Sequence, residues 1–275
     1  MYKVYFKQAV ELLKQNMFIS VISIAGTALA IMMVMILIVV DQVKNADVAP
    51  ESNRSELLYI SYRTATGKGS NKSKTNGILQ YEQAELLKKE VQSASIIAIT
   101  NGVMMDFAGQ TVRFSNEKLR TPLDVRATDA NYWDIVSLDF IEGKPYSEAE
   151  FRSGIRSAVI SQDVAEEFLG KESAIGKTLE IENKEYKIIG VVHSVSKAFN
   201  YAYAKVWIPY TSLSSYENGA YDVVMLTDRS KVKDLEKEVI NIEEKYNKTN
   251  SSWDLKYHGP KNHRLYQISM WDSDK

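Results

Sequence analysis

Few side chains in this sequence have the residue types and spacing that a catalytic or metal-binding site requires. The chain has no cysteine and three histidines, which excludes disulfides, thiol catalysis and Cys-ligated zinc. His258 and His263 have a spacing that loosely fits a zinc site, with Asp254 nearby, but two histidines in a polar stretch are more simply solvated residues. Ser161 and Ser194 lack the G-x-S-x-G context of an activated serine. We therefore predict no catalytic residue and no metal site.

Nucleotide and nucleic-acid binding are also disfavoured. Gly176-Lys177-Thr178 looks like the end of a P-loop, but Lys171 stands where the motif G-x-x-x-x-G-K-[ST] needs its first glycine. The net charge is −1, from 34 basic and 35 acidic residues, so no global basic field points to nucleic acid. We predict that this chain binds no cofactor and has no nucleic-acid partner.

One long apolar run dominates the chain. Residues 17–40 carry no charged side chain, and an α-helix of that length reaches roughly 36 Å, enough to cross a ~30 Å hydrocarbon core. We predict a transmembrane helix over 17–41. The alternative is a cleaved signal peptide, but its apolar core is usually ~7–15 residues, and the following Asp41-Gln42-Val43-Lys44 is a poor cleavage site.

Residues 1–16 have helical apolar spacing with lysines between, which predicts an amphipathic leader. The excess of lysine before the apolar run favours a cytoplasmic N-terminus and a main domain on the far side. Within the run, small residues recur at spacings of three and four and share one helix face, which predicts a packing seam for another membrane helix; these residues are Ser23, Gly26, Thr27 and Ala30.

The remaining chain predicts an α+β head in two subdomains. A β-α-β pattern begins near Leu57 and a second one ends near Tyr257, so residues 55–129 and 216–260 together predict one split α/β subdomain. Residues 130–215, rich in turn signals, predict a strand-rich inserted subdomain, and residues 261–275 a tail. Residues 64–77 are rich in Gly, Ser, Lys and Asn and predict a mobile loop, while 103–107 predicts a strand.

Aromatic residues are dense near the end of the inserted part. Phe199, Tyr201, Tyr203 and Trp207 fall within nine positions. Clustered aromatic side chains are typical of ligand or protein contact surfaces, so we single these four out as a candidate contact surface. Packing in the core is the simpler alternative for the same residues.

Several spaced motifs resemble a known family. Ser157 to Val195 gives a strand ending in a serine, a short helix ending at glycine, then A-I-G-K-T-L and a hairpin ending I-I-G-V-V. With the segment Ala127–Phe151 and the element Trp207–Tyr210, it resembles the periplasmic core domain of MacB-type permeases; Lys144 stands where that family commonly has arginine. The leader and apolar run also resemble that family's N-terminus, including Asn16 and Gly26.

The resemblance implies an FtsX-like permease subunit of an ABC transporter, located in the bacterial inner membrane with a periplasmic head. Such subunits are non-catalytic, pair with a cytoplasmic ABC ATPase that binds ATP, and move their periplasmic domains for export or efflux. It further implies a homodimer or heterodimer of permeases and, for some relatives, a periplasmic adaptor and an outer-membrane channel.

The sequence departs from that pattern because no second, third or fourth apolar span occurs before Lys275. We therefore expect either a fragment or a truncated form, with the tail 261–275 leading toward membrane helices that this chain lacks. The alternative is a signal-anchored periplasmic interaction or sensor module that needs no ATPase. A membrane-anchored hydrolase is disfavoured because no nucleophile–base pair is visible.

Overall fold

A computed structural model describes residues 2–69, 72–101, 110–114, 120–170 and 172–269. The chain divides into two compact units, residues 1–46 and residues 47–275. The first unit holds α1 (Tyr2–Gln15) and α2 (Met17–Asn45). By length and composition, α2 is the one helix among the described residues that could cross a membrane; the candidate span is Met17–Val43, with a mean hydropathy of 2.7 over an 18-residue stretch. This agrees with the predicted span.

The second unit, which we call the head, is a mixed α+β domain, as predicted. Its helices are α3 (Tyr81–Glu90), α4 (Tyr132–Ile135), α5 (Glu148–Arg152), α6 (Gln162–Leu169), α7 (Val232–Thr249) and α8 (His263–Ser269). Its first strands are β1 (Leu57–Ile60), β2 (Tyr62–Gly67), β3 (Lys74–Gln80), β4 (Ile96–Asn101), β5 (Gln110–Phe114), β6 (Thr121–Leu123), β7 (Val125–Thr128) and β8 (Phe140–Gly143). The later strands are β9 (Ser157–Ser161), β10 (Thr178–Ile181), β11 (Lys184–Val192), β12 (Val206–Pro209), β13 (Ala220–Leu226), β14 (Trp253–Tyr257) and β15 (Lys261–Asn262).

The strands join in one continuous sheet. Its order is β14-β2-β3-β13-β4-β7-β12-β9-β11-β10-β5-β6, with β1 between β13 and β15, and β8 beside β11. Most neighbours are antiparallel, whereas β9 with β11 and β7 with β12 are parallel. The sheet runs through both of the predicted subdomains, and the division of the head at residues 130 and 215 stays a prediction.

The two faces of the sheet bury two apolar clusters because successive side chains of a strand point to opposite faces. Along β1, Leu58 and Ile60 belong to one cluster and Leu57 and Tyr59 to the other. The first cluster lies under α3 and α7, whose buried side chains include Leu87 and Leu235. The fully buried strand β1 therefore contributes side chains to both clusters, and Tyr59 belongs to the second.

Two local predictions have different outcomes. The mobile loop predicted over 64–77 is wrong for most of its length, because β2 and β3 form an antiparallel hairpin there and β14 pairs with β2. Thr64, Ala65 and Thr66 supply enough β-forming character once neighbouring strands provide hydrogen bonds. The predicted strand 103–107 lies outside the described residues.

Candidate functional site: the junction of the two end segments of the head

The segment that opens the head contains a buried ion pair. Glu51 and Arg54 are 0% and 2% exposed, and the Arg54 Nε lies 2.6 Å from the Glu51 Oε2. The other carboxylate oxygen of Glu51 accepts hydrogen bonds from the backbone N–H groups of Tyr201 (3.1 Å) and Ala202 (2.9 Å). Arg54 donates to the carbonyl of Ala198 and stacks 4.7 Å from the centre of the Phe199 ring. The pair therefore holds a loop far along the chain.

That loop, residues 196–204, is held from its other side by strand β7 and helix α4. The buried guanidinium of Arg126 donates to the carbonyls of Asn200 (3.0 Å) and Tyr203 (3.1 Å). The Tyr132 hydroxyl donates to the Tyr201 carbonyl at 3.1 Å, and the Trp207 indole N–H donates to the Tyr132 oxygen at 3.2 Å. Buried side chains thus satisfy most of the loop's inward backbone groups, which an irregular buried segment requires.

The segment that closes the described head packs against the same place. β15 pairs with β1, and α8 follows it directly. The Tyr266 ring stacks on the Tyr59 ring at 4.4 Å and 12°, and the Tyr201 ring meets Tyr59 edge-on at 5.9 Å. The Tyr59 hydroxyl shares a hydrogen bond with the His263 Nδ1 at 3.1 Å, and the Asn200 side chain donates to Gln267 at 3.2 Å.

We call Glu51, Arg54, loop 196–204, Tyr59 and Tyr266 the end junction, because it joins the first and last described segments of the head. Burial, and then the charge of Glu51, raise the pKa of Tyr59 well above its usual value. Burial likewise raises the pKa of Tyr266, so both phenols stay protonated as hydrogen-bonding groups. The carboxylate of Glu51 and the stacked rings of Tyr59 and Tyr266 are buried, so this part of the end junction is suited to fixing geometry.

The predicted aromatic surface divides into two pairs. Tyr201 and Trp207 are buried, so they are core residues and the prediction is wrong for them as surface residues. Phe199 and Tyr203 are half-buried. The Tyr203 hydroxyl donates to Asp124 at 2.8 Å, so a contact role for these two stays a prediction.

Sequence reasoning missed the buried charges of the end junction. Residues 47–56 look like a polar linker, and nothing local shows that Glu51 and Arg54 are buried. Arg126 offers a signal, because it sits in the buried strand VRAT at a position where an unpaired cation would be costly. A charged residue inside a strand that otherwise predicts burial indicates a structural partner elsewhere in the chain.

Comparison with known proteins decides the family. A model of the MacB-like periplasmic core domain matches residues 20–242, from inside α2 to the middle of α7. The chain belongs to the MacB-like periplasmic core domain family. This confirms the resemblance on which the sequence prediction rests.

Relatives of this MacB-like chain are transporter components by name. It is 25% identical over 230 residues to the pyoverdine export ATP-binding/permease protein PvdT of Pseudomonas fluorescens strain Pf0-1, covering 80% of this chain and 33% of that protein. It is 26% identical over 113 residues to the ABC transporter permease YknZ of Bacillus subtilis strain 168, covering 38% of this chain and 28% of that protein. The chain spans about a third of the length of these curated relatives.

A solved structure shows the same fold. The extracellular domain of the YknZ transporter from Gram-positive bacteria aligns with a TM-score of 0.50 at 18% identity, covering 71% of this chain and 99% of that domain. The likeness concerns the fold of the head alone.

The residues first considered for chemistry serve structure in this MacB-like head. His263 shares a hydrogen bond with Tyr59 of the end junction, and His258 Nε2 lies 2.6 Å from the Thr64 hydroxyl. Among the described residues, no group of three or more His, Asp or Glu could hold a metal ion. The hydroxyls of Ser161 and Ser194 both donate to Asp163.

Asp163 shows how that serine pair is used. Burial alone would raise the pKa of Asp163, but hydrogen bonds from Lys205, Ser161 and Ser194 outweigh burial and lower it to about 2. The carboxylate therefore stays ionised and accepts hydrogen bonds at the start of α6, where it also favours the helix N-terminus. This arrangement ties α6 to the chain around β12.

The predicted membrane-helix seam can be described only within its own helix. The Thr27 hydroxyl donates to the Ser23 carbonyl at 2.8 Å, so it is satisfied inside α2. A Cβ placed on Gly26 would meet nothing within 4 Å, so the helix surface there is open to a neighbour. Packing of another helix on Ser23, Gly26, Thr27 and Ala30 stays a prediction.

Proposed function

We propose that this chain is the first membrane helix and periplasmic head of a non-catalytic permease subunit of an ABC transporter. It would couple ATP hydrolysis by a partner ATPase to movement of the head, for export or efflux. The observation that carries the proposal is the family match over residues 20–242, which includes part of the span-length helix α2 as well as the head. A signal peptide attached to an unrelated module would not be matched together with its head.

The end junction supports the same function physically. A permease head must respond when the helix attached to it moves, which needs a rigid contact close to the point of attachment. Glu51 and Arg54 follow soon after the end of α2 at Asn45 and are fully buried in the head. A movement of the segment 47–56 would therefore act on loop 196–204 through hydrogen bonds, and on α8 through the contacts of that loop.

The proposed ATPase partner follows from the names of the relatives. MacB and PvdT are named as export ATP-binding/permease proteins, and YknZ as a permease. We propose a cytoplasmic ABC ATPase that binds ATP, a second permease copy or a related permease, and an adaptor with an outer-membrane channel where the envelope has one. The seam on α2 is the proposed contact for membrane helices of the assembled transporter.

Vanadate-sensitive ATP hydrolysis tests the partnership. The chain, tagged and purified in mild detergent from its own cells, should bring with it ATPase activity that vanadate inhibits. The control is the same purification with a variant whose α2 seam carries Gly26→Ile, which should retain less activity. A purified chain with no associated ATP hydrolysis would favour the alternative, an anchored periplasmic module without an ATPase.

Cysteine labelling tests the orientation. Because the native chain has no cysteine, single variants report one site each. A membrane-impermeant maleimide added outside spheroplasts should label Arg152→Cys, in the exposed helix α5, and leave Lys14→Cys unlabelled until the membrane is opened. Labelling in the opposite order would refute the periplasmic location, and a mature protein that begins beyond residue 40 would refute the anchor.

A further inference from the structure

We propose that Glu51 is the positioning residue that couples the two end segments of the head. Its carboxylate holds loop 196–204 in the conformation against which α8 packs, so that loosening one end segment loosens the other. The inference deepens the proposed function and rests on it for its purpose, since a permease head gains from end segments that respond together. The contacts themselves do not depend on the partner ATPase.

Glu51 accepts hydrogen bonds on both of its carboxylate oxygens. One carboxylate oxygen accepts from the Arg54 Nε, and the other accepts from the Tyr201 and Ala202 N–H groups. All three neighbours are donors, and only a carboxylate offers an acceptor on both oxygens. In Glu51→Gln the amide NH₂ must face either the guanidinium or the two backbone N–H groups. The substitution therefore breaks one side of the contact without changing its size.

Loop 196–204 is connected to α8 by an aromatic contact and a polar contact. Tyr201, whose N–H binds Glu51, places its ring edge-on against Tyr59, and Tyr59 stacks on Tyr266. Asn200, the preceding residue, donates from its side chain to Gln267. Two independent contacts, one aromatic and one polar, therefore pass from adjacent loop residues to α8. A shift of the loop backbone at Tyr201 disturbs both of them.

The Glu51 and aromatic contacts are shielded from solvent, whereas the contact between Asn200 and Gln267 is exposed. Glu51, Tyr59, Tyr201 and Tyr266 are between 0% and 4% exposed. A buried polar group that loses its partner cannot exchange it for bulk water, so partly broken arrangements are disfavoured. The end junction should therefore open as a unit, which is the two-state behaviour that coupling between distant segments requires.

Hydrogen–deuterium exchange of the full chain in lipid nanodiscs tests the coupling. In Glu51→Gln, we expect exchange at least tenfold faster in peptides covering 198–203 and at least threefold faster in peptides covering 261–267. Peptides from β10 and β11 should be unchanged. The matched control is Glu180→Gln in β10. This substitution breaks the ion pairs to Arg113 and Arg120 and should leave both end segments of the head protected from exchange.

Each other outcome overturns the proposal. If only 198–203 loosens, the loop and α8 are independent. If every peptide speeds up equally, Glu51 supports global stability and positions nothing in particular. If no peptide changes, the carboxylate is dispensable. None of these results depends on an ATPase, so the coupling can fail while vanadate-sensitive hydrolysis still copurifies, and the reverse is equally distinguishable.

A double-mutant cycle provides the second measurement. Tyr266→Leu removes the ring that stacks on Tyr59. Coupled residues should show non-additive effects on unfolding, with an interaction of at least fivefold in the equilibrium constant between Glu51→Gln and Tyr266→Leu. Strict additivity would contradict the coupling even if both single variants fold.

Discussion

Gly143 sits at the closest approach of two strands. It ends β8, has φ +71°, and is paired directly with Gly190 of β11. A Cβ added at Gly143 would lie 2.0 Å from the carbonyl oxygen of Ile189, a backbone atom that cannot rotate away. That same carbonyl accepts the Lys144 N–H at 3.2 Å. Gly143→Ala should therefore separate β8 from β11.

The size of the effect follows from a comparison with Gly69. Gly69 has nearly the same φ, +72°, but a Cβ there would meet no atom of the described residues within 4 Å. Gly69→Ala should therefore cost only the left-handed conformation, about 1–2 kcal/mol. Gly143→Ala adds overpacking of about 1–3 kcal/mol and a weakened hydrogen bond of about 1 kcal/mol. We expect about 3–6 kcal/mol in total, which is a large effect for a single substitution.

Urea unfolding of the two variants in detergent, followed by tryptophan fluorescence, measures the difference. Trp207 is buried in the sheet and Trp133 is packed near β8, so both report on the region in question. The Gly143→Ala midpoint should fall well below that of Gly69→Ala while the slope is retained. Equal destabilisation by the two substitutions, within about 1 kcal/mol, would refute the close-approach argument.

Three further outcomes can be measured on the same chain. Burial raises the pKa of Asp129 to about 6, although the ion pair with Lys88 opposes the shift. The stability that this raised pKa contributes is complete below about pH 4 and is lost as the pH rises through 6. Between pH 5 and 7.5 the wild type should therefore lose roughly 1 kcal/mol that Asp129→Asn does not lose. The side-chain amide of Asn247 forms hydrogen bonds with both the N–H and the carbonyl of Leu255. Asn247→Ala should therefore lower the free energy of unfolding by about 1–3 kcal/mol, measured by urea unfolding. It should also promote association of the protein through the uncovered edge of β14, measured by sedimentation. Gly26→Ile should reduce self-association of the chain in detergent, measured by cross-linking, more than the matched Ala28→Ile on another face of α2, without changing the melting of the head.

The sequence was sufficient to predict a helix or strand where the pattern of apolar residues lies within that element. The apolar run gives α2. The helical spacing of Val232, Leu235, Val239 and Ile242 gives α7, in which Leu235, Val239 and Ile242 are buried. The hairpin β2–β3 was missed because its residues have weak strand character on their own. Its stability comes from β14, which lies nearly 200 positions later and pairs with it across five positions.

The end junction could not be predicted because its parts are distant in sequence. Glu51 and Tyr201 are 150 positions apart, and the local sequence around each residue does not indicate its partner. Tyr201 and Trp207 look the same in sequence whether they face solvent or the core, since aromatic residues serve both purposes. All four residues of β12 are buried, and the register of β12 beside β7 and β9 decides which of the two apolar clusters Trp207 joins.

The pairing of β1 with β13 has a consequence for how the protein is made. Leu57 lies opposite Leu226 and Ile60 opposite Val223. A strand from the start of the head therefore pairs with a strand from near its end. A nascent chain leaving the ribosome would expose apolar β1 until almost the whole head had been synthesised, and such long-range pairing is slow. If the head is secreted as proposed, the polypeptide would cross the membrane unfolded, and chaperones on both sides would have to protect it until Leu226 arrives.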